Sequence, residues 1–166
     1  MKDEFIAGIF LVGGLGVLIT YLLLYVSGSL ARMLKVFTPK ILKIWTLSMI
    51  ITTASVLYIY YYYIFRRKLE KWTRSLFVTS TIVFLISAML WSVTIRYGET
   101  NTKGRDIEKY PLYLTALATI GILISVLYST NDWLVITAAS IIVIHHLFLD
   151  AIVWRDLHSK TKLLTV

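Results

Sequence analysis

All three histidines of the chain, His145, His146 and His158, lie in one stretch near its end, together with Asp150 and Trp154. His146, Asp150, Trp154 and His158 recur every fourth residue, a spacing that places them along one face of a helix. His145 points about 100° away from His146 on an ideal helix, toward a Ser or Thr of a neighbouring element. Three chemistries suit this face. A His–Asp pair can pass a proton to and from a quinone-like ligand, because imidazole changes charge near neutral pH. His146 and Asp150, with His145, could share a metal, as residues at i and i+4 do in HExxH helices. No second carboxylate or histidine cluster occurs elsewhere to complete a coordination shell, so the metal reading is weak and no metal is assigned. Haem is weaker still: its two axial ligands face each other, and every histidine is on one segment. Its second ligand would have to be Met49, Met89 or a residue of a second copy. Proton transfer needs the fewest residues and is the reading that survives best. A buried polar network that only fixes helix packing, with Asp150 paired to Arg155 or a loop lysine, carries equal weight.

No catalytic residue is assigned. The absence of cysteine excludes disulfides, thiol redox chemistry, Cys-ligated zinc and iron–sulfur clusters. His146 and Asp150 have the HxxxD spacing that ends the signature of membrane phosphatidic-acid phosphatases, but the upstream Lys/Arg-Pro and Ser-Gly-His elements are missing. The aspartate array of CDP-alcohol transferases, the Gly-x-Ser of rhomboid proteases and the multi-His boxes of desaturases are also missing. No lysine lies within an apolar stretch, which excludes a retinal Schiff base.

The elements that must position this face are membrane spans. Hydrophobic residues make up 58% of the 166-residue chain, more than a soluble domain of this size can bury. Its charged residues cluster at 2–4, 32–43, 66–74, 96–109 and 150–162. The apolar stretches between them, divided once more at Asp132, predict five spans, over about 5–31, 44–65, 75–95, 110–131 and 133–154, close to the ~20 residues needed to cross a hydrocarbon core. Trp133 and Trp154 are 21 positions apart, about 31 Å along a helix and near the thickness of that core. The fold expected is therefore an all-α polytopic integral membrane helical bundle in one transmembrane domain. The first stretch begins Lys2-Asp3-Glu4 and is too long for a cleaved secretory signal.

Within the spans, Gly8, Gly13, Gly14 and Gly16 allow close approach of a neighbouring helix, and Gly121, Ser125 and Ser129 form a small-residue stripe of the same kind. Asn131 and Asp132 suit a helix start, so the last two spans should form an antiparallel hairpin. Tyr58 and the run Tyr60–Tyr63 are expected in an interfacial aromatic belt. The segment 97–109 is the only sizeable polar loop. Eleven Lys and Arg fall on the side of the C-terminus and six on the other. The positive-inside tendency then puts the N-terminus outside and the C-terminus in the cytoplasm, although the five basic residues at 66–74 pull locally the other way.

The net charge of +8 belongs to these short connections, where cations meet phospholipid headgroups, and no motif points to nucleic acid. The expected partners are the lipid bilayer and other membrane subunits or further copies of the chain. The expected location is a cell membrane, or a host membrane if the source is viral. The functional expectation is a small integral subunit of a larger, energy-transducing membrane complex with its His/Asp face on the last span. Its rivals are a self-contained transporter or enzyme using His146 and Asp150, and a purely structural membrane protein.

Overall fold

The computed structural model describes residues 3–35, 37–100, 107 and 109–154. Among them the chain is helical throughout, with no strand. The elements are α1 (Glu4–Val26), a short α2 (Ser29–Leu34), α3 (Pro39–Tyr61), α4 (Lys71–Thr100), α5 (Lys109–Ser129) and α6 (Trp133–Val143). α3 continues as a π-helical turn over Tyr62–Arg66, and α6 continues as a π-helical segment over Ile144–Trp154. Five of these helices, counting the extensions, are long and apolar enough to cross a membrane. They agree with the five stretches set out by charge.

Helix ends follow local chemistry. Asp3 caps α1, its Oδ1 accepting the Ile6 N–H at 3.2 Å. Thr38 caps α3 with Pro39 in the first helical turn, where a missing N–H costs nothing. Asp132 caps α6 through the Leu134 N–H at 3.0 Å, so α5 and α6 join through the tight turn expected there. The first span is shorter than the uncharged stretch 5–31. Gly28 takes φ +70°, a left-handed conformation open to glycine, and this ends α1 and starts α2. α4 runs on to Thr100, so only the latter part of the 97–109 connection is non-helical or outside the described residues.

The helices stand in a ring in the order α1, α4, α5, α6, α3, with α1 and α3 the most loosely packed neighbours where the ring closes. α4 and α5 form the most extensive pair. Gly121 faces Ser80 there, so closely that a Cβ would overlap the serine hydroxyl. Thr115 donates to Ser87 across the same seam at 2.8 Å. Gly13 and Gly16 of α1 sit against Leu85 and Met89 of α4, whereas Gly8 and Gly14 have open space beside them. Asp3 also forms a two-point ion pair with Arg74 of α4, at 2.9 and 3.0 Å. The arginine's hydrogen bonds hold this carboxyl below the usual carboxylate range.

The tyrosine run departs from an aromatic belt. Tyr60 and Tyr63 are buried, Tyr60 donating to Thr81 at 2.8 Å and Tyr63 pairing with the Ser129 hydroxyl. Tyr62 pairs with Thr130 at 3.0 Å. Phe10 stacks on Tyr60, and Phe77 packs against both buried rings. A neighbouring span supplies each buried hydroxyl with a partner, which is what allows a tyrosine to turn inward. Tyr61 remains exposed, with Arg66 over its ring.

Candidate functional site

The π-helical segment decides which side chains meet. On an α-helix His145 and Asp150 would lie about 140° apart around the axis. A π-helix bonds residue i to i+5 and brings those two positions onto one side. His145 and His146 therefore both face the Asp150 carboxylate. His146 Nδ1 lies 2.9 Å from Asp150 Oδ2, and His145 Nε2 lies 3.5 Å from the same oxygen. The imidazoles meet edge to face with centroids 5.0 Å apart.

α3 supplies the rest of the cluster. The Trp45 indole N–H donates to Asp150 Oδ1 at 3.0 Å, and Ser48 Oγ is bonded to His145 Nδ1 at 2.9 Å. Trp45 and Ser48 lie on α3 with the spacing of one helical turn, which is why both reach the same group. The His145 contact with a serine on another span is the one expected; its contact with Asp150 is not. The side chains of His145 and Asp150 are only 3% and 13% exposed, so every polar atom in the cluster relies on these few partners. Asp150 pairs with the two histidines and Trp45. Its alternative partner Arg155, and His158, fall outside the described residues, as does the Trp154 side chain, so the full-length polar face expected over 146–158 is seen only at His146 and Asp150.

No protein-family model matches the chain, and no curated protein or solved structure matches it.

The cluster contributes polar lining to a cavity of about 540 Å³ bounded by α1, α3, α4 and the π-helical segment. Its wall is almost wholly apolar, including Phe10, Val56, Phe84 and Leu85. Leu11, Leu15 and Leu18 of α1 and Leu57 of α3 form an exposed rim, so the cavity opens sideways between α1 and α3. Met49 lines the cavity near the histidines, whereas Met89 packs at the outer side of α1 and does not line it. Thr52 lines it too, one turn beyond Ser48, with its buried hydroxyl lacking a hydrogen-bond partner among the described residues. A buried hydroxyl left unsatisfied costs about 1–3 kcal/mol, which a bound polar group would recover.

Sequence reasoning missed Trp45, Ser48 and Thr52. Trp45 reads as an interfacial anchor, and Ser48 and Thr52 as ordinary small polar residues of a span. The signal they carry is their 45–48–52 spacing along one face of a helix otherwise lined with apolar residues.

Proposed function

We propose that the chain is a multi-pass membrane protein that binds a lipid-soluble, polar-headed molecule in this cavity and exchanges a proton with it through His146 and Asp150. The observation that carries this reading is the joining of two features. Among the described residues, the one group of ionisable side chains brought together within the apolar helices lines an apolar, laterally open cavity. Ionisable groups are costly in a bilayer and tend to mark sites of function. An apolar cleft with a few convergent polar groups is the usual form of a small-molecule site. A ligand entering between α1 and α3 would bury its tail against Phe10 and Phe84 and bring its head to Asp150.

The test is ligand retention. The full chain is purified from native membranes into nanodiscs, and its bound small molecules are extracted and identified by mass spectrometry. Gly14 lines the cavity with free space beside it, so Gly14→Phe should fill the cavity while leaving the helix contacts intact. A lipid-soluble compound held by the wild type should fall about tenfold in Gly14→Phe, and also in His146→Ala, equivalent to about 1.4 kcal/mol. Equal retention in all three proteins would remove the proposal.

A second reading, a subunit of a larger and energy-transducing assembly, is favoured by α1. Only 6% of its most apolar window is buried inside the bundle, which leaves nearly a whole helix face for lipid or a neighbouring subunit. A stoichiometric partner chain in the same preparation would support this reading, and a solitary monomer would oppose it.

The orientation proposed from charge has a direct test, because the chain has no native cysteine. Asn131 and Lys40 are exposed at opposite ends of the bundle. In intact cells Asn131→Cys should react with a membrane-impermeant maleimide, and Lys40→Cys should react only after permeabilisation. The reverse pattern would place the N-terminus in the cytoplasm.

A further inference from the structure

The His–Asp cluster has the donors and shape of a metal site, a possibility left weak while only His146 and Asp150 shared a face. One ligand atom from each of His145, His146 and Asp150 lies within 4.8 Å of the other two. In a tetrahedral zinc site with bonds of about 2.0–2.1 Å, ligand atoms stand about 3.3–3.4 Å apart. The His145–Asp150 separation of 3.5 Å already meets that spacing. The His146–Asp150 separation of 2.9 Å is a hydrogen bond. It would open by about half an ångström as a cation replaced the shared proton. Both outer partners are of the kind that orient metal ligands. With Ser48 on Nδ1, the His145 nitrogen turned to the carboxylate is Nε2, free to offer its lone pair. With Trp45 on Oδ1, the Asp150 oxygen left for a cation is Oδ2. Metal-ligating histidines and carboxylates are held by such second hydrogen bonds.

We propose that His145, His146 and Asp150 bind one divalent first-row transition-metal ion of the zinc type, leaving its fourth position open to the cavity. Two imidazoles and one carboxylate without sulfur suit zinc or ferrous iron and disfavour the all-oxygen shells of magnesium and calcium. Three protein ligands with one open position is the arrangement of sites that act on a substrate rather than sites that only brace a fold. The three residues line the same apolar cavity as the unpartnered Thr52 hydroxyl. The fourth ligand is then the hydroxyl or carbonyl oxygen of an amphiphile. That last step rests on the cavity reading above; the metal set does not.

The probe is the metal alone. The full chain in detergent is stripped with a chelator, and Co²⁺ is titrated in while the visible absorption is recorded. Zn²⁺ and Fe²⁺ then compete for the same site. One Co²⁺ per chain with the intense bands of a four-coordinate ion is expected, displaced by either competitor. His145→Ala and Asp150→Asn should each abolish those bands. Ser48→Ala touches no ligand atom of the cation and should weaken binding about tenfold, which keeps the test valid if a ligand variant fails to fold. Gly14→Phe should bind the metal normally. No binding, or binding unchanged in His145→Ala and Asp150→Asn, overturns the metal site. If the metal fails while Gly14→Phe still releases a lipid-soluble compound, only the metal inference falls. If the metal binds and no compound is retained, only the cavity reading falls.

Discussion

Asp150→Ala should lower the stability of the bundle by about 2–4 kcal/mol, far more than an average polar substitution in a membrane helix. Three neighbours lose their partner at once. The Trp45 indole N–H and His146 Nδ1 lose hydrogen bonds of 3.0 and 2.9 Å, and His145 Nε2 loses the carboxylate at 3.5 Å. Each orphaned group would cost about 1–3 kcal/mol in a dry site. Interhelical hydrogen bonds in membranes, of which Trp45 to Asp150 is the one lost here, average nearer 0.6 kcal/mol, because separated helices find other partners in the bilayer. The combined figure falls between these limits, since the cavity can admit little water to an apolar wall. The π-helical segment should respond as well. With no carboxylate to hold both imidazoles, the rarer i→i+5 pattern has nothing to offset it, and an α-helical register would swing His145 away. Asp150→Asn retains an acceptor for Trp45 and should cost about 1 kcal/mol. Reversible unfolding in mixed micelles measures both. A change below about 0.5 kcal/mol in Asp150→Ala would show that the cluster does not brace the fold.

The distinction between backbone period and tertiary contact explains what the sequence could reveal. The five long apolar helices are legible because desolvating a charge is so unfavourable that Lys, Arg, Asp and Glu fall mostly at their ends. The cap at Asp132 is legible because a side chain bonding its own helix start needs only a few residues of context. The His146–Asp150 contact follows from the i, i+4 spacing alone. His145 does not join it on any α-helical reading, because its place beside Asp150 depends on a change of helical period that residue types do not announce. Trp45 and Ser48 are invisible for another reason. They reach the cluster from 105 and 97 positions away, and only the packing of α3 against the last helix sets that meeting. The same limit applies to Tyr60 and Tyr63. Four consecutive tyrosines look alike in sequence, and which of them turn inward is decided by the hydroxyls of Thr81 and Ser129 on other helices. Asp3 belongs here too, since its cap is local and its ion pair with Arg74 is not.

Gly121→Leu should be the most damaging change outside the His–Asp cluster, at about 2–3 kcal/mol. In water, a larger apolar side chain can offset a clash by burying more surface. In a bilayer this compensation would be nearly absent, because lipid tails are as apolar as leucine. What remains is steric. At Gly121 a Cβ would already overlap the Ser80 hydroxyl, and Ser80 Cβ would stand 3.2 Å away. A leucine therefore forces α4 and α5 apart along their most extensive seam and stretches the 2.8 Å Thr115–Ser87 hydrogen bond. Displacement of α5 would also reach the site, since α5 packs directly on the π-helical segment that carries His145, His146 and Asp150. Gly8→Leu supplies the contrast, because nothing lies within 4 Å of a Cβ there, and its change should stay within about 0.5 kcal/mol. A double-mutant cycle isolates the cause. Gly121→Ala alone should cost about 1 kcal/mol, and Ser80→Ala should relieve much of it by removing the overlapping oxygen. Strict additivity of the pair would mean that the glycine is not needed for close approach at Ser80.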